Sequence, residues 1–148
     1  MMSNGHSRFV YVTYIRTTPE ELWKALTTTQ FMKNYWFGMA FETDWQQGSP
    51  WRLSFTDGRT ADTGEIMEII PPERLVLKWH HQLRPELKEE GEARCVIELT
   101  PQEGAVKLSV THTIAWADSK LIEAVSGGWP KILSNLKSLL ETGQVVLH

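Results

Sequence analysis

The chain has 148 residues, of which 41% are hydrophobic and 22% charged, ordinary proportions for one globular domain over residues 1–148. Its net charge of −3 leaves no basic stripe that could neutralise phosphates, so we expect no nucleic-acid partner. The single cysteine, Cys95, excludes an intrachain disulfide and a zinc site built from cysteines.

Targeting signals are not recognisable in the sequence. The first residues, MMSNGHSR, contain no apolar run of the kind a signal peptide needs. No later stretch approaches the roughly 20 apolar residues of a membrane span. We therefore expect a cytoplasmic protein.

The first half of the chain predicts a strand, two short helices and three further strands. Residues 8–16 are rich in β-branched and aromatic types, which favours a first strand. Thr18, Pro19 and Glu21 form a helix start with Thr18 as the N-cap. A second short helix is expected at 29–35. The strands that follow are predicted at 39–44, 51–56 and 60–70.

The second half continues with hairpin-connected strands. Residues 73–81 alternate between apolar and polar types, which places Leu75, Leu77, Trp79 and His81 on one face. The charged segment 82–92 is predicted to be a solvated hairpin end. Two more alternating strands are predicted at 93–100 and 105–114, with a turn at 101–104.

A long amphipathic pattern ends the chain. Its apolar residues recur with the i, i+3, i+4, i+7 spacing of one helix face, while Asn135 belongs to the opposite, polar face. Pro130 suits a first-turn position and Gly143 suits a helix end. The apolar positions are Trp129, Ile132, Leu133, Leu136, Leu139 and Leu140.

A shorter helical piece precedes this pattern. Asp118 can cap residues 119–126, and Gly127–Gly128 then either kinks one long helix or separates two. Strands at the observed spacing form an antiparallel meander whose apolar face must be covered. The terminal helix is the expected cover, and a hollow is expected where the sheet and the helix diverge.

Three segments resemble a known family. TPEELWKALT, PPERLVLKW and GWPKILSNLKSLLE are similar to motifs of proteins homologous to the C-terminal domain of the Hsp90 ATPase activator. That family belongs to the START-like (SRPBCC, helix-grip) superfamily, which also includes polyketide cyclases and lipid carriers. The resemblance covers about residues 9–143. It implies an α+β fold in which a curved antiparallel sheet of six to seven strands wraps around the long C-terminal helix, with two short helices after the first strand.

A cavity between sheet and helix is the candidate ligand site. The seven tryptophans of the chain indicate an aromatic lining, although any one of them could simply pack the core. We predict the residues that line the cavity from the inward-facing positions of the strands and from the apolar face of the terminal helix. Residues 35–37 are expected to close its mouth. The predicted ligand-binding residues are Trp36, Phe37, Trp51, Phe55, Trp79, His81, His112, Trp116, Trp129 and Leu133.

The two histidines on inner faces have two interpretations. His81 and His112 could orient the polar end of a ligand or act as acid and base, or each could be a core histidine satisfied by its neighbours. No catalytic residue is assigned, because the sequence has no nucleophile elbow, phosphate loop or dinucleotide fingerprint. Two histidines without a convergent third ligand do not predict a metal site, and no cofactor is expected.

The leading functional prediction is the binding of a small apolar or aromatic molecule, lipid-like or polyketide-like, in this cavity. A cyclase or hydrolase using the same cavity is one alternative, so enzymatic activity stays open. A co-chaperone-like module with a chaperone partner is the other alternative. A homodimer is compatible with a domain of this size, but the sequence shows no seam for it.

Overall fold

The computed structural model describes residues 5–148. Residues 1–4, part of the segment in which no signal peptide was recognised, lie outside this range. None of the helices within it has the length and apolar character needed to cross a membrane. The elements are β1 (Ser7–Ile15), α1 (Pro19–Leu26), α2 (Thr29–Tyr35), β2 (Ala40–Glu42), β3 (Pro50–Ser54), β4 (Thr60–Ile70), β5 (Arg74–His81), α3 (Pro85–Lys88), β6 (Ala93–Gln102), β7 (Ala105–Ile114) and α4 (Lys120–Thr142).

The seven strands form one curled antiparallel sheet in the order β1-β7-β6-β5-β4-β3-β2. Its concave face packs on α4, and α1 and α2 follow the first strand. The predicted helix-grip α+β fold is therefore confirmed. Strand β2 is shorter than the predicted 39–44, and β6 extends through two residues of the predicted turn at 101–104.

The alternation predicted for the inner strands is confirmed where it forms the core. Burial alternates along the whole of β7, whereas in β5 Leu75, Leu77 and Trp79 are buried together with Val76, which was predicted on the opposite face. Cys95 on β6 is fully buried, and burial raises the pKa of its thiol, so the thiol stays protonated and unreactive. The inward-facing side chains of neighbouring strands thus form one continuous apolar surface beneath α4.

The start of α1 follows the predicted capping pattern. Thr18 Oγ1 accepts a hydrogen bond of 3.1 Å from the Glu21 backbone N–H, and Pro19 occupies the first helical position. This arrangement satisfies a donor that has no partner inside the helix.

Helix α4 decides one open alternative and corrects two details of the sequence analysis. It is one helix from Lys120 to Thr142, so Gly127–Gly128 does not separate two helices. Pro130, predicted in the first turn, lies in the interior. Its N-cap is Ser119, whose Oγ accepts from the Ile122 N–H at 3.0 Å. Asp118 instead adopts a left-handed conformation with φ 51°. Gly143 ends the helix with φ 84°, as predicted.

The segment 82–92 joins the antiparallel strands β5 and β6 and is largely exposed, as predicted for a hairpin end, but it is not a simple loop. It contains α3, whose Leu87 is buried, and it buries the carboxylate of Glu90. Glu90 accepts hydrogen bonds from the Ser119 hydroxyl and from the backbone N–H groups of Lys120 (2.8 Å) and Leu121 (3.3 Å). A negative charge at the positive end of the α4 dipole therefore holds the helix to this segment.

Asn135 also departs from its predicted position on the polar face of α4. Its side chain is 1% exposed. The amide oxygen accepts from the N–H groups of Val146 and Leu147, and the amide nitrogen donates to the carbonyl of Leu147. This side chain ties the end of the chain back onto the helix, which explains why a polar group is buried there.

We expect Glu90→Ala to reduce the free energy of unfolding by about 2 kcal/mol, because charge-assisted hydrogen bonds to the start of α4 would be lost. Urea unfolding followed by tryptophan fluorescence measures this change. Glu89→Ala is the matched control, since Glu89 is exposed and adjacent. Equal stability of the two variants would show that Glu90 does not anchor α4.

Candidate functional site

A cavity of about 210 Å³ lies under the amino-terminal half of α4. Strands β3, β4 and β5 form its floor, α3 and the residue before it form one side, and residues after α2 form the other. Its lining is mainly apolar. The lining residues are Trp36, Met39, Leu53, Asp62, Trp79, His81, Arg84, Leu87, Leu121, Ala124, Val125, Gly128, Trp129 and Ile132.

The cavity lies where α4 carries small residues at the edge of its apolar face. Ala124 and Gly128 are four residues apart and therefore lie one above the other on the same face of the helix. A Cβ atom added to Gly128 would meet no heavy atom within 4 Å. A methyl group and a hydrogen atom are the only side chains of α4 at these two positions, so the helix leaves space there unfilled.

Three tryptophans form the aromatic wall of the cavity. The Trp129 ring lies edge-on to Trp36, with centroids 5.3 Å apart, and also to Trp79, with centroids 6.0 Å apart. All three rings are almost completely buried. Edge-to-face contacts of this kind hold the rings rigidly while leaving part of their surface available to an apolar ligand.

A second aromatic layer supports this wall. Trp51 packs edge-on against Trp79 at 4.8 Å and stacks flat on Phe41 at 4.6 Å, and its indole N–H donates to the Lys78 carbonyl at 3.1 Å. Gly64 makes this arrangement sterically feasible, because a Cβ there would lie 1.7 Å from the Lys78 oxygen and 2.6 Å from the Trp51 ring. Any side chain at this position would displace the second layer.

The main polar feature of the wall is the Asp62 carboxylate, which contacts the rings of His81 and Trp79 through hydrogen bonds. Asp62 and His81 face each other across β4 and β5. Asp62 Oδ1 lies 2.8 Å from His81 Nδ1 and accepts a second hydrogen bond, of 2.9 Å, from the Trp79 indole N–H. The side chains of Asp62 and His81 are only 10% and 12% exposed. A buried carboxylate therefore orients both an aromatic ring and a histidine of the cavity lining.

His112 occupies a different environment, deeper in the core. It is fully buried, and its Nδ1 accepts a hydrogen bond of 3.2 Å from the Trp129 indole N–H. Burial lowers the pKa of His112 to about 4. The ring is therefore neutral at physiological pH and supports Trp129 from behind.

The structure brings together several of the predicted site residues. Trp36, Trp79, His81 and Trp129 line the cavity. Trp51 lies in the supporting aromatic layer. Leu133 is fully buried one turn further along α4, beside a narrow apolar void that also touches Trp36 and Trp129.

Four predicted lining residues lie elsewhere. Phe37 is 45% exposed, because its left-handed backbone turns the side chain out after α2. Phe55 follows a register shift at Leu53/Ser54, which breaks the assumed alternation, and it contacts Arg59 at the surface. Trp116 is 41% exposed beyond the end of β7. His112 lies behind Trp129 and does not reach the cavity.

Two important residues were missed from the sequence. Asp62 has the same strand parity as the inward-facing Ile66, and a charged residue at such a position is a usable signal. The sequence pattern marks Gly128 only as a kink or a break in the helix. Its role in leaving the cavity open could have been inferred from its place on the apolar stripe.

The comparison with family models connects these features to a known group of proteins. The model described as "Activator of Hsp90 ATPase homolog 1-like protein" matches residues 16–141. The chain belongs to this family. The match includes β2–β7 and nearly all of α4, and therefore every residue that lines the cavity.

Solved structures share the fold of this family member. The Aha1 dimer from Colwellia psychrerythraea matches with a TM-score of 0.75 at 18% identity, over 93% of this chain and 98% of that one. An HSP90 activator from Plasmodium falciparum gives 0.72 at 24% identity, over 90% and 95%. DynU16, from the dynemicin biosynthetic locus, gives 0.76 at 20% identity, over 93% of this chain and 48% of its own. A comparison with curated proteins gave no significant match.

Metal-ligand side chains are not grouped in this family member. Across residues 5–148, no three histidine, cysteine, aspartate or glutamate side chains are placed so that they could hold one ion. The polar chemistry of the cavity described here is therefore the chemistry of Asp62, His81 and Arg84.

We expect the stability of the protein to fall in acid partly through His112. In the unfolded chain this histidine titrates near 6.5, whereas in the folded protein its pKa is about 4. Between these pH values the unfolded state binds an additional proton, so the free energy of unfolding decreases as the pH falls. The total loss is about 3 kcal/mol once His112 is protonated in both states.

His112→Gln provides the comparison, because its amide oxygen can accept from Trp129 but does not titrate in this range. Urea unfolding of both proteins from pH 7 to pH 4 should show a steeper loss for the wild type. Parallel pH profiles would contradict the assignment.

Proposed function

We propose that this protein binds a small apolar or aromatic molecule, lipid-like or polyketide-like, in the cavity beneath α4. The observation that carries this proposal is the cavity itself. Three tryptophans and the aliphatic face of α4 line it, and a few polar groups lie on one wall. Ligand sites in proteins typically combine a concave apolar lining with a small number of placed polar groups.

The volume limits the size of the ligand. A cavity of about 150 Å³ is sufficient to hold benzene in an engineered apolar core, so about 210 Å³ accommodates one or two fused rings or a short aliphatic chain. A larger ligand would have to extend through the mouth, past Arg84 and Ala124, both of which are exposed.

The fold relatives support this choice without deciding it. DynU16, a protein in the dynemicin biosynthetic locus, has the same fold, and the fold is compatible with ligand binding. At 20% identity this likeness concerns the fold alone, so the chemical class rests on the cavity lining of this chain.

We expect one- and two-ring aromatic compounds to raise the melting temperature in a thermal-shift screen that also includes fatty acids and flavonoids. A ligand at a hundredfold its dissociation constant stabilises the folded state by about 2.7 kcal/mol, roughly 5–10 °C for a chain of this length. Gly128→Leu should abolish the shift, because its side chain would enter the cavity.

Gly127→Leu is the matched control. Gly127 is the preceding residue of the same helix, has equally open space where a side chain would begin, and does not line the cavity. Both variants gain similar helix propensity. A shift that survives in Gly128→Leu would place the binding site elsewhere, and the absence of any shift across the panel would contradict the proposal.

The enzyme alternative, a cyclase or hydrolase, draws on the same cavity. The pairing of His81 with Asp62 is the observation that favours it, because a carboxylate that holds a histidine in one orientation is a common acid–base arrangement. Incubating the protein with each compound that binds, followed by mass spectrometry, distinguishes turnover from binding.

Family membership favours a second candidate, an interaction with an Hsp90-type chaperone. One structure of the same fold is an HSP90 activator from Plasmodium falciparum. If this candidate is correct, the protein should bind a purified Hsp90 homologue and increase its ATPase rate, and Gly128→Leu should leave both effects intact because it alters only the cavity. Absence of binding at micromolar concentrations would exclude this candidate.

A further inference from the structure

The two histidines of the inner face are held in opposite proton arrangements by their partners. His112 Nδ1 accepts from the Trp129 N–H, which can only donate, so the proton of the neutral ring is on Nε2. His81 Nδ1 instead faces Asp62 Oδ1 at 2.8 Å. A carboxylate accepts hydrogen bonds, so His81 Nδ1 carries the proton and Nε2 of the neutral ring has a free lone pair.

Asp62 is held in this accepting role by a second donor. The Trp79 indole N–H donates to the same oxygen at 2.9 Å. Because an indole cannot accept, this contact requires Oδ1 to be an acceptor whatever the histidine does. Trp79 and Asp62 together therefore determine which nitrogen of His81 is left as an acceptor.

The accepting nitrogen has no partner within the described residues. His81 Nε2 is shielded from solvent and makes no hydrogen bond there, although His81 belongs to the cavity lining. A buried acceptor without a donor is unfavourable, and such groups in native structures commonly have a functional explanation.

We propose that His81 Nε2 is the recognition point for a hydroxyl group on an aromatic ligand, with Asp62 as a positioning residue. This inference rests on the proposed ligand-binding function and specifies the ligand class, namely phenols and naphthols. The tautomer of His81 favours a hydrogen-bond donor on the ligand, and the aromatic lining of Trp36, Trp79 and Trp129 favours a ring. A ligand that presents only a carbonyl or an ether oxygen would place two acceptors against each other.

Access to Nε2 requires a lining side chain to move. Met39 and Arg84 line the same cavity and have long, flexible side chains. Arg84 is largely exposed and pairs with Glu86, also at the surface, so its displacement breaks only an exposed ion pair. Once a ligand fills the opening, its hydrogen bond to Nε2 forms away from competing water.

The test compares 2-naphthol with 2-fluoronaphthalene by isothermal titration calorimetry. The two probes are similar in size, but only the naphthol has a hydroxyl donor. We expect the wild type to bind 2-naphthol at least about 10-fold more tightly, because the fluorinated probe leaves Nε2 unpaired.

Two matched variants test whether His81 causes the preference for 2-naphthol over 2-fluoronaphthalene. His81→Asn keeps an amide N–H that can donate to Asp62 but removes the acceptor at the Nε2 position, so it should bind both probes equally. His80→Asn changes the neighbouring histidine, which bonds the Lys88 carbonyl and does not line the cavity, and it should retain the preference.

A spectroscopic measurement on the wild type is independent of whether these variants fold. The ¹⁵N signals of the His81 ring should show a protonated Nδ1 and an unprotonated Nε2, and 2-naphthol should shift the Nε2 signal. Asp62→Asn should weaken the bias towards the Nδ1–H form and reduce the naphthol preference, an effect that a purely structural role of Asp62 would not produce.

The outcomes separate the two proposals. Equal affinity of the wild type for both probes, or a protonated Nε2 in the neutral ring, overturns hydroxyl recognition and leaves the cavity as a general apolar site. A naphthol preference that persists in His81→Asn also overturns it. If neither probe binds while other compounds of the screen do, hydroxyl-aromatic recognition fails alone, and if nothing binds, the proposed function fails with it.

Discussion

The anchoring of α4 at its amino end is the constraint on which the cavity depends. Glu90 and Ser119 provide acceptors for the N–H groups of the first turn, so the helix can begin within the protein without unpaired donors. The helix then crosses the concave sheet at a fixed place, so that Ala124 and Gly128 share the cavity with residues from the start of β4 and the end of β5. Leu87 belongs to both the anchoring segment and the cavity lining, so the two features share one side chain.

The aromatic residues determine how much of the space between sheet and helix is left. A large curved sheet and one helix would enclose a wide hollow, but Phe41, Trp51, Trp79 and Trp129 fill most of it with rings in mutual contact. What remains is a small cavity with one aromatic wall rather than a wide channel. A cavity of this size favours a flat, rigid ligand, since such a ligand loses little conformational entropy when it binds.

The two histidines of the inner face differ in their hydrogen-bonding roles because their partners differ. His112 faces a donor and is a structural acceptor with a depressed pKa, caused by burial. His81 faces an acceptor and therefore presents its other nitrogen as a free acceptor beside the cavity. The difference arises from one residue on each side, Trp129 for His112 and Asp62 for His81. Neither partner is close in sequence to the histidine it controls.

The sequence alone determined the order and most bounds of the elements other than α3, because capping residues and apolar periodicity are local properties. The start of α1 at Thr18, the strand at 60–70 and the end of α4 at Gly143 follow from such patterns. Only the tertiary structure decided which aromatic side chains line the cavity. A register shift turned Phe55 away, a left-handed residue exposed Phe37, and strand pairing placed Asp62 against His81. These outcomes depend on contacts between residues far apart in the chain, which hydrophobic periodicity does not encode.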